Sequence, residues 1–456
     1  MRGEGDILLV STYELGHAPH GIALPAAFLE RAGFRPAALD LAVEPFDPER
    51  VRRARLVAFS VPMHTALRLA IQAAARVQAL NPGAVLCFHG LYAPLNAGLL
   101  AGAGASAVLG GECEEDLVEL ARAVERGADL SGFVQRGGAA ACRTKLDFPV
   151  PSRRALPPLS RYARLVDSSG KERLAGYAEA SRGCLHLCRH CPIPALYGGR
   201  FFAVPAEVVV EDAAHQAEAG ATHVTFGDPD FLNGPGHALR VARALHARLP
   251  HLTFDFTAKV EHLVRHPAVV AELAALGAIF VTSAVESLSD AVLGKLAKGH
   301  TRADVFRAFD LCAEAGLALR PSLVPFTPWS TLDDYLELIE TFEARGWLTV
   351  LDPVQLSIRL LVPPGSLLQD EPEFRGEGLD EAALTWRWTH PDPRMDALQR
   401  KAAVAVAAGA ARGEDPVRLV GEVKALALAA AGREHVHVAR PFSGPRAPRL
   451  TESWFC

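Results

Sequence analysis

Runs of basic residues, apolar stretches of membrane-spanning length and regularly paired cysteines are all missing from this 456-residue chain. Without basic runs, and with a formal net charge of −5, it offers no electrostatic footprint for nucleic acid. The Ala-rich stretch 402–411 is too short to span a bilayer and is bounded by Arg400, Lys401 and Arg412, so no membrane association is expected. Residues 1–6 lead straight into a strand-like run, so no secretory leader is expected either. Of the eight cysteines, those at 87, 113, 142, 312 and 456 are scattered. That spacing argues against a disulfide framework and for a reduced, cytoplasmic protein.

The chain is long enough for two or three domains with full apolar cores. Short apolar runs at 6–10, 36–41, 56–60, 84–88 and 106–109 alternate with helical periodicity, as at 65–80, which Asn81-Pro82-Gly83 closes. This pattern predicts an α/β class: a doubly wound, flavodoxin-like domain over 1–130, whose ligands bind outside the carboxyl ends of its strands. A Gly-, Pro-, Ser- and Arg-rich linker follows over 131–172. Alternation then resumes with candidate strands at 177–180, 222–226, 252–257, 278–284, 317–324 and 353–360. These predict a partial (β/α)6 barrel over 173–365, with polar residues at the strands' carboxyl ends placed for chemistry. A helical extension over 366–432, carrying Trp386 and Trp388, and a tail over 433–456 complete the chain.

The densest chemistry lies in Arg182-Gly183-Cys184-Leu185-His186-Leu187-Cys188-Arg189-His190-Cys191-Pro192. Three thiolates on one tight loop can hold three irons of a four-iron cluster and leave the fourth iron open to a small molecule. A zinc site completed by His186 or His190 is the competing reading, although structural zinc usually takes its ligands as two separated pairs. The Cys-x3-Cys-x2-Cys spacing resembles the signature of the radical S-adenosylmethionine (radical SAM) enzymes. The resemblance implies that Cys184, Cys188 and Cys191 ligate a [4Fe-4S] cluster whose open iron chelates SAM. Reduction would then cleave SAM to methionine and a 5′-deoxyadenosyl radical, with electrons from a donor such as flavodoxin or ferredoxin.

The first domain resembles the cobalamin-binding domain that precedes many radical SAM domains. The resemblance rests on strand order, on Ser60-Val61-Pro62-Met63, on His89-Gly90-Leu91 and on Gly110-Gly111-Glu112-Cys113-Glu114-Glu115, and it makes Ser60, Gly90 and Gly111 candidate cofactor contacts. Many such proteins carry Asp-x-His-x-x-Gly after the first strand, with the histidine ligating cobalt. Here residues 11–21 do not match, although they contain His17 and His20. Two readings stay open: cobalamin bound without a histidine below the cobalt, or a fold kept without the cofactor.

At the barrel mouth, Gly227-Asp228-Pro229-Asp230 occupies the place where the family often has a Gly-Gly-Glu or Asp-Asp pair that meets the SAM amino group. That makes Asp228 a candidate SAM contact and Asp230 a contact of SAM or substrate, with a capping turn as the bland alternative. Lys259 can meet the SAM carboxylate or sit at the rim. Val285-Glu286-Ser287 and Lys298-Gly299-His300-Thr301 are similar to segments of cobalamin-type radical SAM proteins, in which the glutamate lies near the SAM ribose. Ser322 and Arg359 are candidates by position alone, and a guanidinium there can equally pair with a structural carboxylate. His190 stands where an aromatic residue commonly stacks near the adenine.

The ending Leu450-Thr451-Glu452-Ser453-Trp454-Phe455-Cys456 resembles the CUAEP/CCAEP-tail radical SAM proteins, whose chains close on Cys-Sec-Ala-Glu-Pro or Cys-Cys-Ala-Glu-Pro. It suggests a native continuation with selenocysteine and makes Cys456 a candidate catalytic thiol. The function expected is radical SAM chemistry on a small-molecule substrate, with cobalamin-dependent methyl transfer as one form. The alternatives are cobalamin-independent transfer, such as 3-amino-3-carboxypropyl transfer to a soft acceptor, an RNA methylthiotransferase, and a non-catalytic zinc protein.

Overall fold

A computed structural model describes residues 1–133, 146–433 and 446–451. Strands β1 (Ile7–Ser11), β2 (Ala37–Asp40), β3 (Leu56–Ser60), β4 (Val85–His89) and β5 (Ala107–Leu109) form a parallel sheet in the order β2-β1-β3-β4-β5. All five residues of β1 and of β3 are buried. Helices cover both faces, and that is why these strands read as unbroken apolar runs instead of alternating ones. Ile22, Phe28 and Leu29 of the helix His20–Arg31, with Leu117 and Leu120 of Glu114–Arg126, share a core with Leu9 and Ala58. Leu67, Ala70 and Ala74 of His64–Leu80 meet Leu8 and Val57 on the other face. Strand order reverses between β1 and β3, so the crevice of this fold opens over their carboxyl ends.

The second sheet begins with β6 (Arg164–Val166) and β7 (Glu172–Ala178). A short antiparallel pair, β8 (Ser181–Gly183) and β9 (Phe201–Ala203), flanks the cysteine loop. β10 (His223–Phe226), β11 (Thr253–Ala258), β12 (Ala278–Glu286) and β13 (Ala318–Leu323) run parallel beside β7 in the order β7-β10-β11-β12-β13. This is the expected partial barrel. A two-stranded pair, β14 (Leu379–Asp380) and β15 (Thr385–Trp386), follows, and β16 (Arg449–Leu450) returns to pair antiparallel with β6.

The sixth expected barrel strand is reduced to a 3-10 turn, Pro353–Leu356, and one parallel bridge between Phe326 and Arg359. Asp352 caps the turn by accepting from Val354 N, and Pro353 has no backbone donor to give a ladder. The helices Pro393–Ala411 and Pro416–Ala430 each start from an aspartate cap with proline in the first turn. Val420, Val423 and Ala427 pack on Leu336 and Ile339 of the helix Leu332–Ala344, which extends the barrel core outward. Among the described residues, no helix is long and apolar enough to cross a membrane.

Candidate active site

The cysteine loop leaves β8 at Gly183, whose φ is +77°. A Cβ there would stand 2.5 Å from Arg200 O and 2.5 Å from Tyr197 Cδ1, so only glycine lets the chain turn this tightly. Asn233 holds the first ligand position: its Oδ1 accepts from Leu185 N at 3.1 Å and lies 3.6 Å from Cys184 Sγ. On the far side, Arg189 N donates to Leu296 O at 3.0 Å and its guanidinium pairs with Glu371. The loop is thus pinned at both ends by the barrel.

Cys184 and Cys188 are buried and Cys191 is half-buried. Burial, and then the neighbouring Cys188 and Cys184 sulfurs, push the Cys191 thiol up to about 12, and burial raises Cys184 too. Buried thiols of this kind lose their protons only to a cationic partner, which iron supplies. A tetrahedral zinc would draw its sulfurs to within about 3.8 Å of one another, from bonds of about 2.3 Å. Among the described residues, the set of three His, Cys, Asp or Glu ligand atoms gathered within 4.8 Å of one another is instead His186, Asp230 and His262. The three sulfurs therefore fit a cluster that spaces its ligands widely.

Residues 179–348 match the family model described as "Radical SAM superfamily". That stretch is similar to a radical SAM domain. The match begins five residues before Cys184 and takes in the β8–β9 pair and the barrel strands β10 to β13, so it includes the whole cysteine loop. The radical SAM methyltransferase TsrM from Kitasatospora setae, solved with tryptophan substrate and a SAM analogue, superposes with a TM-score of 0.59 at 21% identity, over 74% of this chain and 71% of that one. The cobalamin-dependent S-adenosylmethionine radical enzyme OxsB, solved with aqua-cobalamin and S-adenosylmethionine, gives 0.68 at 14% identity over 88% of this chain and 66% of that one. These likenesses establish the fold, a parallel sheet in front of a radical SAM barrel.

Two polar groups flank the radical SAM loop. On one side, Asp230 is fully buried, and its Oδ1 caps the 3-10 turn Phe231–Asn233 by accepting from Leu232 N at 2.9 Å. Its Oδ2 faces His262 Nδ1 at 2.8 Å and His186 Nε2 at 3.9 Å. Lys259 is buried with Nζ 3.3 Å from Glu261 Oε2, which in turn faces His186 Nδ1 at 3.7 Å. Burial, with Lys259 and His262, lowers His186 to about 4 and keeps its ring neutral at physiological pH.

On the other side, Glu286 closes β12 with φ +61°, a left-handed conformation that costs a residue with a Cβ of order 1–3 kcal/mol. The β12–β13 register shifts at this position, and Val324 N donates to Glu286 O at 2.8 Å, so the surrounding sheet holds the strained turn. The carboxylate meets Lys298 Nζ at 3.0 Å and His190 Nε2 at 3.2 Å. Burial would raise the Glu286 carboxyl, but Lys298 and His190 hold it far below the usual carboxylate range. Burial likewise works to lower Lys298, yet the Glu286 carboxylate and the Cys188 and Cys191 sulfurs hold its ammonium above the ordinary value.

The remaining candidates are already occupied by the fold. Asp228 turns into the β7–β8 connection, where it accepts from Ala180 N at 2.9 Å and from Ser181 Oγ at 2.5 Å, and burial raises it to about 7. Arg359 donates to Asp396 Oδ1 at 2.5 Å and to Trp388 O at 2.6 Å and stacks over the Trp388 ring, the structural pairing its position allowed. Ser322 is half-buried on β13, with Ser283 and Ser287 near the end of the neighbouring strand. Cys456 and Cys142 lie outside the described residues.

At the carboxyl edge of the first sheet, Ser60 is buried at the end of β3, while Gly90 and Gly111 follow β4 and β5 with φ of +105° and +75°. Arg182 reaches across to this edge from β8, lying 3.2 Å from Glu112, 2.6 Å from Glu114 and 3.3 Å from Glu179. Tyr197 OH donates to Glu112 at 3.0 Å. The His17 ring packs tilted against Tyr177 with ring centroids 4.8 Å apart, and His20 Nε2 lies 3.5 Å from Glu179. Burial raises Glu14 to about 8 and lowers His20 to about 3 and His89 to about 4. Cys87 and Cys113 belong to the apolar core, which removes two of the cysteines that a methylthiotransferase would need for a second set.

Sequence reasoning singled out Glu286 and the Lys298 segment separately; their pairing appears only once β12 and the following turn are folded. His262 carried no signal beyond standing three residues after Lys259 on a helix that starts at the barrel rim.

Proposed function

We propose that the chain is a radical SAM enzyme acting on a small-molecule substrate bound between the barrel mouth and the first sheet. In this reading Cys184, Cys188 and Cys191 hold a [4Fe-4S] cluster, and the single observation that carries it is the glycine-turned three-cysteine loop at the mouth of the matched domain. When bound, the reduced cluster supplies the electron that cleaves the sulfonium–carbon bond of SAM. Glu286, fixed as a carboxylate by Lys298, accepts from the ribose hydroxyls, while Lys259 offers its ammonium to the SAM carboxylate. Asp230 presents a carboxylate oxygen to the same mouth, while both oxygens of Asp228 are taken up by Ala180 N and Ser181 Oγ. Electrons come from a reductant, for which flavodoxin or ferredoxin is the class proposed.

Cobalamin-assisted methyl transfer is the form of the reaction that the fold likeness to TsrM and OxsB favours. Four buried side-chain atoms at the edge of the first sheet, Glu14 Oε1, His20 Nδ1, His89 Nε2 and Glu114 Oε2, have no hydrogen-bond partner and suit a polar group placed there. The Arg182 bridges cross the same crevice and would have to open for a corrin. Residues 450–456 support kinship with the CUAEP/CCAEP-tail proteins.

Anaerobic reconstitution followed by iron and sulfide analysis, then incubation with SAM and dithionite, tests the reading. The expected result is about four irons and four sulfides per chain and formation of 5′-deoxyadenosine, both lost in Cys191→Ala. Zinc without iron, or no 5′-deoxyadenosine from cluster-loaded protein, overturns it. Cobalamin retained through gel filtration at one per chain supports methyl transfer; cobalamin lost from cluster-loaded protein selects the cobalamin-free alternative.

A further inference from the structure

Beside the cysteine loop, three side chains that no part of the SAM reading requires as a set converge from three elements. His186 comes from the loop, Asp230 from the turn after β10, and His262 from the helix Val260–Arg265 after β11. One ligand atom of each lies within 4.8 Å of the other two. His186 Nε2 and His262 Nε2 face each other at 3.0 Å, and His262 Nδ1 stands 2.8 Å from Asp230 Oδ2.

His186 Nε2 and His262 Nε2 can share a hydrogen bond, but the contact with Asp230 fits one poorly. The His262 ring is 5% exposed, and its Nδ1, although close to the carboxylate, is out of line for a hydrogen bond and has no other partner. A buried ring nitrogen in that position is destabilising when nothing satisfies it. With His262 offering Nδ1, the separations fit one cation: Asp230 Oδ2 stands 2.8 Å from that nitrogen and 3.9 Å from His186 Nε2, within the roughly 4.2 Å that two donors about 2.1 Å from one ion can span. Asp230 is prepared for such a role, since Leu232 N fixes its Oδ1, while Oδ2, which accepts only a long 3.4 Å hydrogen bond from Lys259 N, is turned toward the imidazoles. Glu261 Oε2, 3.7 Å from His186 Nδ1, lies on the far side of that ring, where an outer carboxylate orients a metal-bound histidine.

We propose that His186, Asp230 and His262 form a second metal site, separate from the cysteines, for a divalent first-row cation such as zinc or ferrous iron. Two imidazoles and a carboxylate suit those ions, and three protein donors leave positions open for water or an oxygen atom of the substrate. The site opens beside the loop that carries Cys184 and Cys188, so a ligand on the cation lies next to the radical SAM chemistry. The inference does not depend on which transfer the enzyme performs.

The test uses full-length protein carrying its complete iron–sulfur complement, dialysed anaerobically against micromolar zinc chloride and then analysed for metal and by zinc X-ray absorption. The expected result is one zinc per chain with a shell of nitrogen and oxygen only, and unchanged iron and sulfide. His262→Gln and Asp230→Asn, both near-isosteric, should weaken zinc binding at least tenfold while keeping iron and sulfide at the wild-type level. No zinc retained by cluster-loaded wild type, a shell containing sulfur, or binding unaltered in both variants overturns the site. If either variant misfolds, the stoichiometry and ligand shell of the wild type still decide.

Discussion

Replacing Lys298 by methionine is the perturbation whose size follows most directly from the structure. Lys298 and Glu286 are 2% and 4% exposed and joined at 3.0 Å. Methionine fills much of the same volume but leaves a carboxylate buried without its main counter-ion, a change that costs about 3–5 kcal/mol. His190 Nε2, 3.2 Å away, remains as a hydrogen-bond partner of the carboxylate, so the lower end, about 3 kcal/mol, applies near pH 7.5. At about 2–4 °C per kcal/mol for a domain of this size, the melting temperature should fall by about 6–12 °C.

The pH dependence has a defined sign. Glu286 is held below its ordinary value in the folded wild type, so its contribution is present above the unfolded carboxylate range and is lost as pH falls toward the folded value. In Lys298→Met, burial dominates and raises the carboxyl, so the deficit against wild type should be largest at neutral pH and shrink toward pH 4.5. Circular dichroism melts of cluster-loaded protein at pH 7.5 and 5 measure both effects. Glu286→Gln combined with Lys298→Met should recover about 2 kcal/mol relative to the sum of the single changes, because no buried charge remains. A single variant melting within 1 °C of wild type at pH 7.5, or strict additivity in the pair, would refute the reasoning.

Two further predictions concern the approach to the loop. Asp228 is raised to about 7 by burial, so the folded state keeps a proton the unfolded chain gives up. This destabilisation begins above the unfolded value near pH 4 and is complete above pH 7. Asp228→Asn should therefore gain stability over wild type between pH 5 and pH 8, by about 2–3 kcal/mol on chemical denaturation. An unchanged difference across that range would show that Asp228 is not buried as a proton-bearing acid. Gly183→Ala must accommodate a Cβ 2.5 Å from Arg200 O at φ +77°, so it should lower both thermal stability and iron incorporation. Full iron loading at the wild-type melting temperature would argue against the tight turn.

The parts of this protein legible in its sequence are those whose physics is local. Three thiols within eight positions must share one site wherever the chain goes, and strands buried on both faces announce themselves as apolar runs. Glu286 is legible through the likeness of Val285-Glu286-Ser287 to segments of cobalamin-type radical SAM proteins, and β12 runs two residues past the apolar stretch 278–284 to end on it. Arg359 illustrates the limit: its position suits a ligand contact, but the helix Pro393–Ala411 brings Asp396 against it, and that helix arrives from 37 residues away. The sixth strand failed for a related reason, since its apolar run is turned aside by the capped Pro353 and supported from outside by helices instead of a ladder.

Local patterning determined the fold class, the sheet strands and the cluster loop, because backbone pairing and ligand spacing act over a few residues. Only the tertiary structure decided which charges neutralise one another. Lys298 meets Glu286, Arg182 crosses to Glu112 and Glu114, and Asp230 meets His186 and His262 because packed elements bring them within a few ångströms. At those distances, and away from water, burial and pairing set both protonation and the capacity to hold a metal, and neither is encoded in the spacing of residues along the chain.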